Sequence, residues 1–191
     1  MTPEDQARAN FYALLSRLFY APPDGGLLAA LGSAEELEAE DKALAGSWRE
    51  LCLAAARADA GALREEFETT FIGTGKAPIT LYTSAYSIRS ANEAPLAALR
   101  DELATLGIAR RSEAGEYEDH IAALCDVMRH LIAQQQAELS IQKRFFERWI
   151  GPTFGPLCAA IDGRGLGAFY QSAAALAKSF FSLERSSFEM L

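Results

Sequence analysis

The sequence predicts an all-α protein: one helical bundle formed by a single domain over residues 1–191. Three observations carry this expectation. Alanine, leucine, glutamate and arginine dominate the composition, and all four are strong helix formers. Apolar residues recur at helical spacing along most of the chain. Alternating runs of Val, Ile and Thr, the mark of a strand, are nearly absent. Half of the residues are apolar and 23% are charged, which suits a folded globular chain with a sizeable core.

The elements follow in order. Pro3, Glu4 and Asp5 open a first helix, where proline and acids are both tolerated. Its stripe is Ala7, Phe11, Leu14, Leu15, Leu18 and Phe19, and Pro22-Pro23-Asp24-Gly25-Gly26 stops it. A shorter helix covers Gly26 to Leu31. Ser33 with Glu36 has the spacing of a capping box over the acidic segment that follows. A longer helix spans Asp41 to Ala58, with Leu44, Trp48, Leu51, Cys52 and Ala55 on one side, and Ala60-Gly61 breaks it. The next runs through Leu63, Phe67, Thr70 and Phe71. Residues 72–80 then lose the pattern and read as an internal loop; loops of that length are often functional.

Leu81-Tyr82-Thr83-Ser84-Ala85-Tyr86 follows, and Asn92-Glu93-Ala94-Pro95 punctuates again. Pro95 opens a helix through Leu96, Leu99, Leu103 and Leu106, ended by Gly107. A charged connector with Arg110 and Arg111 leads to the most strongly patterned helix, expected from Glu116 to Gln136. Its stripe is Ile121, Leu124, Cys125, Met128, Leu131 and Ile132. Ile141, Phe145, Phe146 and Trp149 form another stripe, closed by Gly151-Pro152. A short helix with Phe154 and Leu157 to Ile161, a turn at 162–165 and a final helix from Leu166 through Phe181 complete the chain.

Composition also excludes. A net charge of −8 and a pI of about 4.9 argue against a protein that grips phosphate backbones. Cys52, Cys125 and Cys158 are widely spaced among apolar neighbours, as buried free thiols of a reducing compartment are, and no zinc spacing occurs. Met1 to Asp5 has neither a basic leader nor an apolar core, and no apolar run reaches membrane-spanning length. The expected location is therefore the cytoplasm, without stable membrane insertion. Gly73-Thr74-Gly75-Lys76 fails as a phosphate loop, because Thr70 stands at the first Gly position and Ala77 follows the Lys. His120 and His130 do not stack on one helical face, which sets aside a two-histidine metal site. No nucleophile is placed with Asp119 and His120, so no catalytic residue is assigned and an enzyme is not expected.

Glu116-Tyr117-Glu118-Asp119-His120 stands just ahead of the strongest stripe. On local physics it reads as the charged first turn of a core helix, where the macrodipole favours acids. Several stretches together nevertheless resemble the redox enzyme maturation proteins, chaperones of molybdenum-cofactor oxidoreductases. Glu116 to His120 looks like that family's Glu-Pro-x-Asp-His loop, with Tyr117 in place of Pro. Leu81 to Tyr86 is similar to its Pro-aromatic-x-Ser-x-Tyr segment, with Tyr82 where some members carry Trp. Phe11-Tyr12 through Pro22-Pro23 resembles its opening helix. Phe146-Glu147-Arg148-Trp149-Ile150-Gly151-Pro152 resembles its late Phe-x-x-Trp-x-x-Pro segment.

The resemblance implies a helical bundle of the molybdoenzyme-chaperone type. It implies a cytoplasmic partner that binds the twin-arginine leader of an apo-oxidoreductase, assists cofactor insertion and prevents premature export. Carried over residue by residue, the implied peptide site is Tyr82, Ser84, Tyr86, Glu116, Asp119 and His120, with no cofactor and no metal of the protein's own. Arginine pairs with carboxylates and stacks on aromatics, so these residue types suit such a guest. Burying on the order of 400 Å² of apolar leader at about 25 cal/mol per Å² gives roughly 10 kcal/mol gross. An exposed Arg–carboxylate pair contributes only about 0.2–1 kcal/mol. The apolar stretch is therefore expected to supply affinity, and the charges register and encounter rate. Two other classes compete: a helical scaffold or ligand-binding domain without leader specificity, and a weak nucleotide-binding enzyme using Glu116, Asp119 and His120. A monomer and a helix-swapped dimer both fit, the 72–80 loop permitting exchange.

Overall fold

A computed structural model describes residues 1–87 and 94–191; the Asn92-Glu93 part of the break before Pro95 lies outside the described residues. The fold is all-α. Among the described residues the β-type pairing is one isolated antiparallel bridge, between Tyr82 and His120. The described residues form two compact groups, each assembled from two stretches of chain: Met1–Tyr20 with Leu81–Thr153, and Ala21–Thr80 with Phe154–Leu191. The chain changes group beside Pro22-Pro23, at the end of the 72–80 loop, and just after Gly151-Pro152. These are the sites where proline and glycine interrupt helical periodicity.

The first group holds helices α1 (Pro3–Tyr20), α5 (Ser84–Ser87), α6 (Pro95–Thr105), α7 (Ile121–Ala133) and α8 (Leu139–Phe145). α1 packs along α7. The predicted stripe of α7 is the buried one: Ile121, Leu124, Cys125, Met128 and Leu131 are fully covered, as are Leu15 and Leu18 of α1. Pro95 opens α6, and Gly107 at φ +70° ends it. The Gly107 and Ile108 N–H groups donate to the Ala104 and Leu103 carbonyls in a Schellman closure.

α7 begins five residues later than its stripe and acids suggested, at Ile121 rather than Glu116. Residues 116–119 form a turn instead, because Asp119 and Ile121 spend their backbone groups on residues 81–83. The reading of Glu116 to His120 as a helical first turn is thereby corrected.

The second group holds α2 (Gly25–Gly32), α3 (Lys42–Arg57), α4 (Ala60–Phe67), α9 (Phe154–Asp162) and α10 (Ala168–Glu189). Asp24, Asp41 and Asp59 cap α2, α3 and α4 by accepting from backbone N–H groups, each at 2.8 Å. α3 packs on α10 and on α2, and Phe67, Phe71 and Tyr170 meet at centroid distances of 5.2–6.0 Å. Three expectations change here. Ser33 does not open a capping box; it closes α2, its hydroxyl donating to the Ala29 carbonyl at 2.8 Å. Ala60-Gly61 is not a break but the first turn of α4, the break falling at Ala58-Asp59. Cys52 is only half-buried, whereas Cys125 and Cys158 are buried as predicted.

Among the described residues each group also contains one π-turn, a helical turn closed by an i→i+5 bond that inserts a residue into the helix. Glu68–Ile72 extends α4 and Phe146–Ile150 extends α8. The Gly73 N–H reaches the Glu68 carbonyl at 2.7 Å, and the Gly151 N–H reaches that of Phe146 at 2.8 Å.

Candidate functional site

The frame of the site is the Tyr82–His120 bridge. Leu81, buried, fixes the start of this segment in the core. The Ile121 N–H donates to the Leu81 carbonyl and the Thr83 N–H to the Asp119 carbonyl, both at 2.8 Å. The Thr83 hydroxyl donates to that same carbonyl at 3.0 Å. Side chains alternate across an extended segment. Tyr82 and His120 therefore share one face, while Thr83 and Asp119 share the other.

On the first face the Tyr82 hydroxyl donates to the Glu116 carboxylate. The Tyr82 ring meets the His120 imidazole edge-on at 5.3 Å and Tyr117 at 6.2 Å. Burial, the bond to Glu116 and the charges of Glu116 and Asp119 all push the Tyr82 hydroxyl well above its ordinary pKa. His120 is 4% exposed, and its Nδ1 accepts from the Ala122 N–H at 3.2 Å. It is thus the N-cap of α7, which requires an unprotonated Nδ1. Burial lowers its pKa, against the opposing charges of Glu116 and Asp119.

On the second face the Ser84 hydroxyl donates to Asp119 Oδ2 at 2.5 Å. Asp119 is 5% exposed and contributes to a pocket of about 280 Å³. Thr83, Ser84 and Ser87 supply its hydroxyls, Pro95 and Ala98 at the start of α6 supply apolar surface, and Arg148 with Trp149 completes the wall. The π-turn after α8 carries that last pair. Trp149 Nε1 and Arg148 Nη1 both donate to Glu102 Oε2 at 3.0 Å, and the Arg148 guanidinium lies 4.8 Å from the Trp149 ring. Arg144 adds a second cation, its Nε 3.6 Å from Glu102 Oε1.

Five of the six predicted residues thus meet directly: Tyr82 with Glu116 and His120, and Ser84 with Asp119. Tyr86 lies two residues beyond Ser84 on the same helical turn, half-buried. Only Ser84 and Asp119 of the six line the pocket. Glu118, between these residues in sequence, is neutralised by Arg100 at 3.0 Å. Burial opposes ionisation of Glu118, but the bond and charge of Arg100 prevail and hold its pKa below the usual carboxylate value. Arg148 and Glu102 were not among the predicted site residues; nothing in their local sequence marks a pair 46 positions apart. Among the described residues no group of three or more His, Cys, Asp or Glu side chains is placed to hold a metal ion, and no helix is long and apolar enough to cross a membrane.

A family model described as "Nitrate reductase delta subunit" matches residues 37–159, a range that contains all six predicted residues and the Arg148–Trp149 wall. The chain is also similar to the "Chaperone protein TorD" of Photobacterium profundum, with 31% identity over 137 residues. That match takes in 64% of this chain and 62% of the relative, so the chain spans somewhat under two thirds of the relative's length.

Proposed function

The chain belongs to the nitrate reductase delta subunit family, and from that premise we propose that it is a cytoplasmic chaperone that binds the twin-arginine leader of an apo molybdenum-cofactor oxidoreductase, assists cofactor insertion and holds back export. One observation carries the reading: the Tyr82–His120 bridge brings the aromatic segment and the Asp-His turn into one site, with a buried carboxylate set in a pocket. Tyr82 and Tyr117 offer rings for the apolar part of a leader, His120 backs Tyr82, and Asp119 offers a carboxylate for its cationic part. The similarity to a protein titled a chaperone supports a binding role over catalysis. The protein is neither a leader-independent scaffold nor a nucleotide enzyme on this reading.

Titration calorimetry with a synthetic twin-arginine leader tests it. The wild-type protein is expected to bind saturably. Asp119→Ala with His120→Ala is expected to weaken binding at least tenfold while the helical circular dichroism persists. Equal binding by both proteins would overturn the site, and no binding by the wild type would overturn the function.

A further inference from the structure

Building on the leader-binding reading, we propose that the pocket at Asp119 admits a single arginine side chain, so that the protein reads one member of the leader's arginine pair and leaves the other unread. The carboxylates around the site are already committed. Glu118 is held by Arg100, Glu102 by Arg148 and Arg144, and Glu116 accepts from Tyr82. Asp119 differs. It is 5% exposed, it lines the pocket, and among the described residues no basic side chain forms an ion pair with it. Among those residues its one side-chain hydrogen-bond donor is the Ser84 hydroxyl, on Oδ2. A buried carboxylate is normally paired or richly hydrogen-bonded, and Asp119 faces the pocket with one hydroxyl donor on its side chain and no ion pair among the described residues.

The size of the pocket suits one long side chain. The pocket holds about 280 Å³, just below the roughly 300 Å³ at which pockets for drug-sized ligands begin. A guanidinium presents two parallel N–H groups to a carboxylate, which an ammonium does not. Pro95 and Ala98 offer apolar surface for the methylene stem, and Ser87 offers a further acceptor oxygen. A second arginine beside the first finds Glu118 occupied by Arg100 and Glu102 by Arg148. Its replacement therefore changes little, whereas loss of the first leaves Asp119 without an ion-pair partner among the described residues.

The experiment uses three synthetic leaders: the unaltered peptide, one with glutamine for the first arginine, and one with glutamine for the second. Each is titrated calorimetrically into the full chain and into Asp119→Asn, with thermal unfolding as the check on the variant. In the wild type, one replacement is expected to weaken binding at least tenfold and the other less than threefold. In Asp119→Asn the two replacements are expected to become equivalent. Equal losses in the wild type would overturn the inference alone, a result that needs no variant to fold. An asymmetry that persists in Asp119→Asn would overturn it too. Absence of binding by every leader would instead overturn the leader-binding reading, and this inference with it.

Discussion

Glu102→Ala tests whether the Trp149 wall is held by chemistry or only by packing. The Glu102 side chain is 8% exposed and accepts two bonds of 3.0 Å on one oxygen, from Trp149 and Arg148. Trp149 is itself 8% exposed, so its indole N–H, once orphaned, has little access to water; leaving such a donor unpaired costs about 1–3 kcal/mol. Arg148 is half-exposed and keeps its hydration, so its pair contributes only about 0.2–1 kcal/mol. The expected loss is about 1–4 kcal/mol, most of it from the indole. Urea denaturation of Glu102→Ala, Trp149→Phe, Arg148→Ala and the Glu102→Ala/Trp149→Phe double variant measures it. The Glu102–Trp149 cycle is expected to show a coupling of about 1 kcal/mol or more. Glu102→Gln, which keeps an acceptor oxygen, should retain most of the stability. A loss below about 0.5 kcal/mol for Glu102→Ala, the range of ordinary surface changes, would refute the reasoning.

Three further outcomes are expected. The pKa of His120 is lowered from 6.5 in the fold, so its contribution to stability is complete above pH 6.5 and is lost as pH falls through the lowered value. Denaturation midpoints should decline below pH 6.5 in the wild type and less steeply in His120→Asn; parallel curves would count against a neutral buried His120. Gly73→Ala should destabilise more than Gly107→Ala, because both have positive φ but only at Gly73 does a Cβ fall 2.8 Å from a backbone oxygen, that of Lys76. Equal melting temperatures would contradict this. Timed thiol labelling should modify Cys52 first, since Cys125 and Cys158 are buried and burial pushes the Cys158 thiol up to about 12. Mass spectrometry showing Cys125 or Cys158 labelled as fast would exclude that order.

The helices were legible because their stripes and their punctuation agree. Pro22-Pro23, Pro95, Gly107 and Gly151-Pro152 each stand where an element stops or starts. The start of α7 was misread for a physical reason. Carboxylates before an apolar stripe suit a helical first turn, but here the same backbone bonds sideways to Leu81 and Thr83. That competition comes from a segment some 36 positions away, so no local pattern reveals it. The π-turns escaped similarly, since one inserted residue leaves a stripe such as Phe145, Phe146 and Trp149 looking helical. Tyr82, Ser84, Glu116, Asp119 and His120 came from resemblance rather than from spacing. Arg100, Glu102 and Arg148 were invisible because ion pairing is decided by the fold, which ties up Glu118 and Glu102.

The alternation of the chain between its two groups also bears on how the molecule comes off the ribosome. The packing partner of α1, α7, is synthesised about a hundred residues after it, beyond a whole stretch that belongs to the other group. The nascent chain must therefore carry the greasy side of α1 uncovered through that interval. The group containing the Tyr82–His120 bridge is complete once Thr153 is out, whereas α3 waits for α10. Synthesis in chain order consequently completes the group holding the Tyr82–His120 bridge before the group of α3 and α10.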